Sequence, residues 1–347
     1  MANLRRRMMM SQKEVEKLDY LTIIPDEPTS ITVYPASIYT DKEDYVAVRY
    51  YDFQYSLDDG KTWYTATFGS YDGDEDVFET FYVTNTLKLK ANLVVDRVRD
   101  NQMLFGVRID AVKSYTVGGS VMSLCYGDDF SSYTGELTWP LSKMFYYSTK
   151  LRRINTPKTF LSATSYKYAD NNAIYGAYED MFGRCSYLEN SPEIHLVHIG
   201  TRCCAYMFYD CSRLIEASAI HSQSVGYGGC NSMFYSCDLL VKAPDRLPAT
   251  LSSGSCFSAM FSGCRSLEKA PELPALTLVS KCYSYMFQDC TKLNYCKAKF
   301  TTTPGTAYTY DWLSGTAATG TFVKNKDATW NVTGTSGIPS GWTVISE

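Results

Sequence analysis

Two periods of apolar positions divide the chain. Between residues 21 and 112, apolar and polar residues alternate over short runs. These are Ile31-Thr-Val-Tyr, Tyr45-Val-Ala-Val-Arg-Tyr-Tyr, Phe53-Gln-Tyr, Phe78–Val83, Leu87–Val95 and Leu104–Ile109. Runs rich in β-branched and aromatic residues, separated by turn residues, predict strands, and together they predict a small Ig-like β-sandwich over 21–115. From residue 141 the pattern changes. Met-Phe recurs at Met144, Met181, Met207, Met233, Met260 and Met286, in steps of 37, 26, 26, 27 and 26. Leu follows seven residues after each Met, at Leu151, Leu188, Leu214, Leu240, Leu267 and Leu293. Cys follows four residues after, at Cys185, Cys211, Cys237, Cys264 and Cys290, with Ser148 in the first copy.

A unit of about 26 residues cannot bury its own apolar face, so a fixed period of that length predicts a solenoid whose coils stack on one another. The invariant Met, Phe, Cys and Leu then form ladders inside the coil. The variable position nine residues after each Met should point outward: Arg153, Asn190, Glu216, Lys242, Lys269 and Tyr295. Pro244, Pro248, Pro271 and Pro274 should end strands, because proline cannot donate to a ladder. Apolar spacing of three to four in Cys-x-x-x-Met-Phe-x-x-Cys fits a short helix on the outer side. The predicted fold is thus mainly β with short helices, an N-terminal β-sandwich followed by a leucine-rich-repeat solenoid. Its parts are an attachment segment (1–20), the sandwich (21–115), an N-terminal cap (116–140), six coils (141–309) and a C-terminal cap (310–347). The cap would hold Trp312, one step of 26 beyond Met286, with Phe322, Trp330 and Trp342 as an aromatic lid.

Composition narrows the functions. Net charge is −4, so no nucleic-acid footprint is expected. No run approaches the roughly 18 apolar residues of a membrane span. The twelve cysteines are mostly periodic, which reads as stacked core thiols. The rival reading pairs the column four before Met (Cys203, Cys256, Cys282) with the column four after it as disulfides. Tyrosine is heavily used, with 29 copies, which suits an adhesive surface. Residues 1–10 carry Arg5, Arg6 and Arg7 but no apolar core behind them, so a secretory signal is not expected. Ser11 with Glu14 forms a capping box for a short helix, and this end is expected to dock into a larger assembly through the three arginines.

Four stretches invite chemistry. Ser56-Leu-Asp-Asp-Gly-Lys-Thr-Trp63 matches the Asp-box pattern, in which the carboxylate accepts backbone donors inside a tight turn and the Trp packs beneath. Asp72-Gly-Asp-Glu-Asp76 has calcium-like spacing, but Val77 and Val83 stand where an EF-hand needs Gly and Glu, so it reads as a solvated loop. His195-Leu-Val-His198 with Cys203 and Cys204 is not a standard zinc spacing, and in an extended segment residues 195 and 198 face opposite ways. No metal or cofactor is expected. The three histidines do not stand beside a nucleophile with an orienting acid, and no phosphate loop or dinucleotide fingerprint appears, so no enzymatic activity is expected.

The stretches Cys-Tyr-x-x-Met-Phe-x-x-Cys-x-x-Leu at 282–293 and Ala-Pro-Glu-Leu-Pro-Ala at 270–275 resemble the BspA-type leucine-rich repeats of gut Bacteroidales and of the crAss-like phages that infect them. Residues 118–130 and 310–325 also match proteins with such arrays. The resemblance covers roughly 50–347 and speaks to architecture more than to function. It implies a virion structural protein, a head or tail fibre or decoration protein assembled in the host cytoplasm, that binds other virion proteins through its N-terminal region. Phage fibres are commonly trimers, so a homo-trimer is expected. The array would face a bacterial surface glycan or protein through the outward row and through an insertion in the first coil bearing Tyr166, Tyr168 and Tyr175. The alternative is a bacterial cell-surface adhesin.

Overall fold

Much of the alternation in the N-terminal part becomes strand, while residues 45–47 and 104–106 of the expected runs lie outside the described residues. In the computed structural model residues 19–34, 48–66, 78–95, 107–121, 123–126, 128, 130, 141–156, 158–161 and 176–347 are described. The strands of the first part are β1 (Leu21–Pro25), β2 (Thr29–Tyr34), β3 (Val48–Ser56), β4 (Tyr64–Thr65), β5 (Glu79–Val83), β6 (Leu87–Val95), β7 (Arg108–Ala111) and β8 (Tyr115–Gly118). Strand β9 (Leu151–Ile154) belongs to the first coil. They form a six-stranded sheet, β4-β3-β6-β1-β8-β9, and a three-stranded sheet, β5-β2-β7. All these pairs are antiparallel except β8–β9. Ile31 and Val33 alternate inward along β2, and the Tyr55 and Phe81 rings, 4.6 Å apart, bring the two sheets together.

The parallel β8–β9 pair, with Tyr115 opposite Leu151, joins the first part to the solenoid. Bonds from Ile109 N to Met144 O (2.9 Å) and from Asn155 N to Val117 O (2.7 Å) reinforce the seam. The first coil therefore offers no free strand edge here, which is what a cap must achieve. Gly119 sits at this corner with φ +73°, and a Cβ there would stand 1.8 Å from the Tyr20 carbonyl oxygen, so only glycine fits.

The Asp-box closes as expected. The Ser56 hydroxyl and the Thr62 N–H both donate to Asp58 Oδ1 at 2.8 Å. The Thr62 N–H above all pulls the Asp58 carboxyl down to about 2. Trp63 lies under the ammonium of Lys90, 4.3 Å from the ring centre, and Asp128 takes that ammonium at 2.7 Å. The box is a structural latch between the first sheet and the segment after β8.

In the C-terminal part the coils stack as a β-solenoid of about six turns. The Met ladder is at most 1% exposed, and the Leu ladder is fully buried. Phe145, Phe182, Phe208, Phe234, Phe261 and Phe287 form one column, with ring centres 5.2–5.7 Å apart and planes within 7° of parallel. That spacing lies inside the favourable range for offset aromatic stacks. Each Cys four residues after a Met donates its Sγ–H to the Phe carbonyl of the preceding coil, at 2.9–3.1 Å. In the first coil Ser148 stands in for Cys and shares a 2.8 Å bond with the Tyr115 hydroxyl. The eleven cysteines from Cys185 to Cys296 are buried free thiols, so the disulfide alternative is not realised among them. Burial pushes the Cys211 and Cys264 thiols well above their ordinary range.

The outer segment is not a helix, and the expectation of short helices is corrected. Among the described residues the only α-helix is a single turn, α1 (Ser123–Tyr126). In the third coil, Arg202, Tyr206 and Asp210 have φ of 51–56°, so every fourth residue is left-handed. Alternate N–H groups turn back three residues, as from Tyr209 to Tyr206 O at 2.9 Å. The others cross to the next coil, as from Phe208 to Met233 O at 2.8 Å. The reason is spacing. Helix axes pack about 8–10 Å apart, whereas parallel ladders hold these coils about 4.8 Å apart, with the stacked ring centres at 5.2–5.7 Å. A chain of turns fits that repeat and satisfies each amide. Left-handed non-glycine residues cost roughly 1–2 kcal/mol each, which the added inter-coil bonds offset.

Short parallel strands link the coils on the other sides. β10 (His198–Ile199), β11 (Ser224–Val225) and β12 (Thr250–Leu251) form one ladder. β13 (Tyr295–Ala298), β14 (Gly320–Lys324) and β15 (Trp342–Ser346) form another, so parallel stacking runs to the chain's end. Trp312 is fully buried beyond the Phe column and donates Nε1–H to Gly337 O at 2.7 Å. Trp330 stacks on Phe300 at 5.3 Å.

Asp180, in the second coil's turn chain, yields a pH prediction. Desolvation raises its carboxyl to about 6. The folded state thus holds this proton more tightly than the unfolded chain, so the contribution is most favourable at low pH and declines as pH rises from about 4 through about 6. Asp180→Asn also suits the local φ of 55°. It should raise the melting temperature at pH 7.5 and change it little at pH 5. An equal shift at both pH values contradicts this account.

Candidate functional site

The row nine residues after each Met lies along one line of the solenoid. Parallel bridges join Asn190 to Glu216, Glu216 to Lys242 and Lys269 to Tyr295. Arg153, Glu216, Lys242 and Lys269 are exposed, and Tyr295 is partly so. Row residues engage one another or residues beside the row. Arg153 reaches Glu189 at 3.8 Å, Lys242 pairs with Glu216, and the Lys269 ammonium lies 5.3 Å from the Tyr295 ring centre. Asn190 departs from the expectation of an outward contact residue. Its amide donates to Ile154 O and accepts from Ile154 N, both at 2.9 Å, so it splices the second coil to the first and is spent on structure. Tyr166, Tyr168, Tyr175, Arg5, Arg6 and Arg7 lie outside the described residues, as do the Ser11 capping box and the acidic loop Asp72–Asp76.

Beside this row an open groove of about 730 Å³ runs over the third and fourth coils. Its walls are equivalent stretches one repeat apart, 216–223 and 242–249. Pro244 and Pro248 interrupt the ladder on this stretch of the fourth coil, since neither can donate, and the small residues Ala217, Ser218 and Ala219 leave depth. Charges of both signs face the groove, among them Glu216, Lys242, Asp245 and Arg246. Bonds from Ser218 N to Ser191 Oγ (2.7 Å) and from Ser218 Oγ to Ser191 O (2.6 Å) fix the third coil against the second. Of the six row residues, the groove brings together Glu216 and Lys242; the other four lie elsewhere along the line.

The histidines are arranged differently from any local spacing. His195 and His198 do not meet; His198 Nδ1 bonds the Ser224 hydroxyl at 2.7 Å. Instead His195 stacks on His221 of the next coil, ring centres 4.5 Å apart and planes 12° from parallel. Both point Nε2 at one carboxylate oxygen, Glu193 Oε2, at 2.9 Å and 3.3 Å. Cys203 and Cys204 are buried in the core. The signal for this cluster was in the sequence: residues 195 and 221 are 26 apart, one coil step.

Among the described residues no helix is long and apolar enough to cross a membrane. No protein-family model, curated protein or solved structure matches the chain.

Proposed function

We propose that this chain is a non-enzymatic structural protein of a phage virion, a head or tail fibre or decoration protein. In this reading it is of BspA-type leucine-rich-repeat build and presents its solenoid to a glycan or protein on a bacterial surface. The binding half rests on one observation: a groove of about 730 Å³, open to solvent and lined by both charge signs, on a stack of hydrogen-bonded coils. A site pre-formed on a rigid scaffold spends little of its binding energy on ordering. Repeat proteins bind partners through such extended surfaces. The virion half rests on the repeat motifs and flanking stretches quoted above. In this reading residues 1–20 and an Ig-like sandwich over 21–115 attach the chain to other virion proteins, as a homo-trimer.

Two experiments test the two halves. Mass spectrometry of purified particles should detect the chain; finding it only on uninfected cells would replace the virion reading with the adhesin one. The full chain should bind host cells, and charge reversal at Lys242→Glu with Arg246→Glu should weaken binding about tenfold or more, on the scale of a few desolvated contacts. Arg213→Ala, at an exposed position outside the groove, should leave it unchanged. Equal binding by both variants would remove the groove from the account.

A further inference from the structure

We propose that Glu193, His195 and His221 form a binding site for a divalent transition-metal ion, clamping the second coil to the third at the edge of the groove. This inference stands independently of the virion reading. The three side chains offer one carboxylate oxygen and two imidazole nitrogens, all within 4.8 Å of one another. Ions of the zinc type take such donors at about 2.0–2.2 Å, which places ligand atoms around a tetrahedral ion about 3.3–3.6 Å apart. The two Nε2 to Oε2 separations, 2.9 Å and 3.3 Å, need only small side-chain adjustments to admit an ion between them. Two neutral imidazoles with one carboxylate suit a first-row divalent ion better than the oxygen-seeking calcium or magnesium.

The solenoid makes this arrangement. The one-coil step stacks His221 on His195 with both rings turned the same way. Residue 193 precedes 195 by two in an irregular extended stretch, so their side chains share a face. Ala219, one coil step from Glu193, is too small to crowd the centre. The imidazoles are 39% and 50% exposed as side chains, so an ion can enter from solvent. Glu193 and His221 also line the groove. Three protein ligands leave a four-coordinate ion one position for water or a donor atom of a groove-bound partner.

The test uses the full chain, stripped with chelator and desalted, then titrated with zinc chloride by calorimetry and with cobalt chloride by visible absorption. One equivalent of Zn²⁺ should bind and raise the melting temperature. Co²⁺ should give the visible band of a site with mixed nitrogen and oxygen donors. Glu193→Gln and His221→Ala should each weaken Zn²⁺ about tenfold or more and abolish both the cobalt band and the thermal shift. His198→Ala should bind as the parent does. Should His221→Ala fail to fold, His195→Asn takes its place in the comparison. Absence of binding, binding that survives His221→Ala or His195→Asn, or loss of binding in His198→Ala would each overturn the proposal. In the first case the three side chains are only a hydrogen-bonded bridge between coils.

Discussion

Phe234→Ala should destabilise the chain by about 3–5 kcal/mol, the range for truncating a large buried aromatic in a packed core. Phe234 is 1% exposed and lies between Phe208 and Phe261 at 5.2 Å and 5.4 Å. Its removal leaves a hole in mid-column and deletes two ring contacts worth about 0.5–1.5 kcal/mol each beyond burial. Coils contact only their neighbours, so the loss cannot be shared along the array. The variant's urea midpoint should fall sharply. A shallower slope would mean that the array now unfolds in two pieces. A loss below about 1 kcal/mol would contradict a continuous aromatic column.

Cys237→Asp should leave no folded array at neutral pH, whereas Cys237→Ser should cost only about 1–2 kcal/mol. Cys237 is fully buried, and its thiol donates to Phe208 O at 3.1 Å. A carboxylate there has no cation to pair with: Cys211 and Cys264 stand at the same place in the adjoining coils, and both are buried. It would have to take up a proton or expel the coil. Serine keeps a donor for the Phe208 carbonyl, and the protein already uses it in this column at Ser148. Soluble yield, far-UV circular dichroism and thermal melts of the pair provide the comparison. An Asp variant melting within a few degrees of the parent would mean that position 237 is not interior.

The ladders were legible because stacking coils demand the same side chain at the same place. The step of 26 alone picks out Met207, Met233, Phe208 and Phe234 as neighbours. The conformation of the outer segment was not legible. A chain of turns with every fourth residue left-handed buries positions three and four apart, as a helix does, so Cys204, Met207, Phe208 and Cys211 give the same signal in both. Only the distance between coils separates them. The strands of the first part could be read from alternation, but their order could not. β1 lies between β6 and β8, partners far along the chain that are set by packing and not by local spacing.

The outward row was legible as a line but not in its local detail. Asn190 turns its amide onto Ile154 at the join with the first coil, where the 37-residue step breaks the repeat. The pairing of His195 with His221 does not show in spacing within one coil, where 198 is the histidine next to 195. In a solenoid the partners of a side chain are its equivalents one step away. The same logic finds the groove, whose two walls are stretches one repeat apart.

The most direct test of stacked coils is a distance between two spin labels, introduced as Tyr187→Cys and Lys292→Cys. Both positions are exposed and stand six residues after their Met, four coils apart. Tyr187 already touches its equivalent one coil on, with the Arg213 guanidinium 4.3 Å from its ring centre. The eleven native thiols from Cys185 to Cys296 are buried, and the unsubstituted parent measures any background labelling. At about 4.8 Å per coil, pulsed electron–electron resonance should return a narrow distribution centred near about 20 Å. A broad distribution, or a centre above about 30 Å, the scale of an unordered chain of this length, would contradict the stack and the surface it presents.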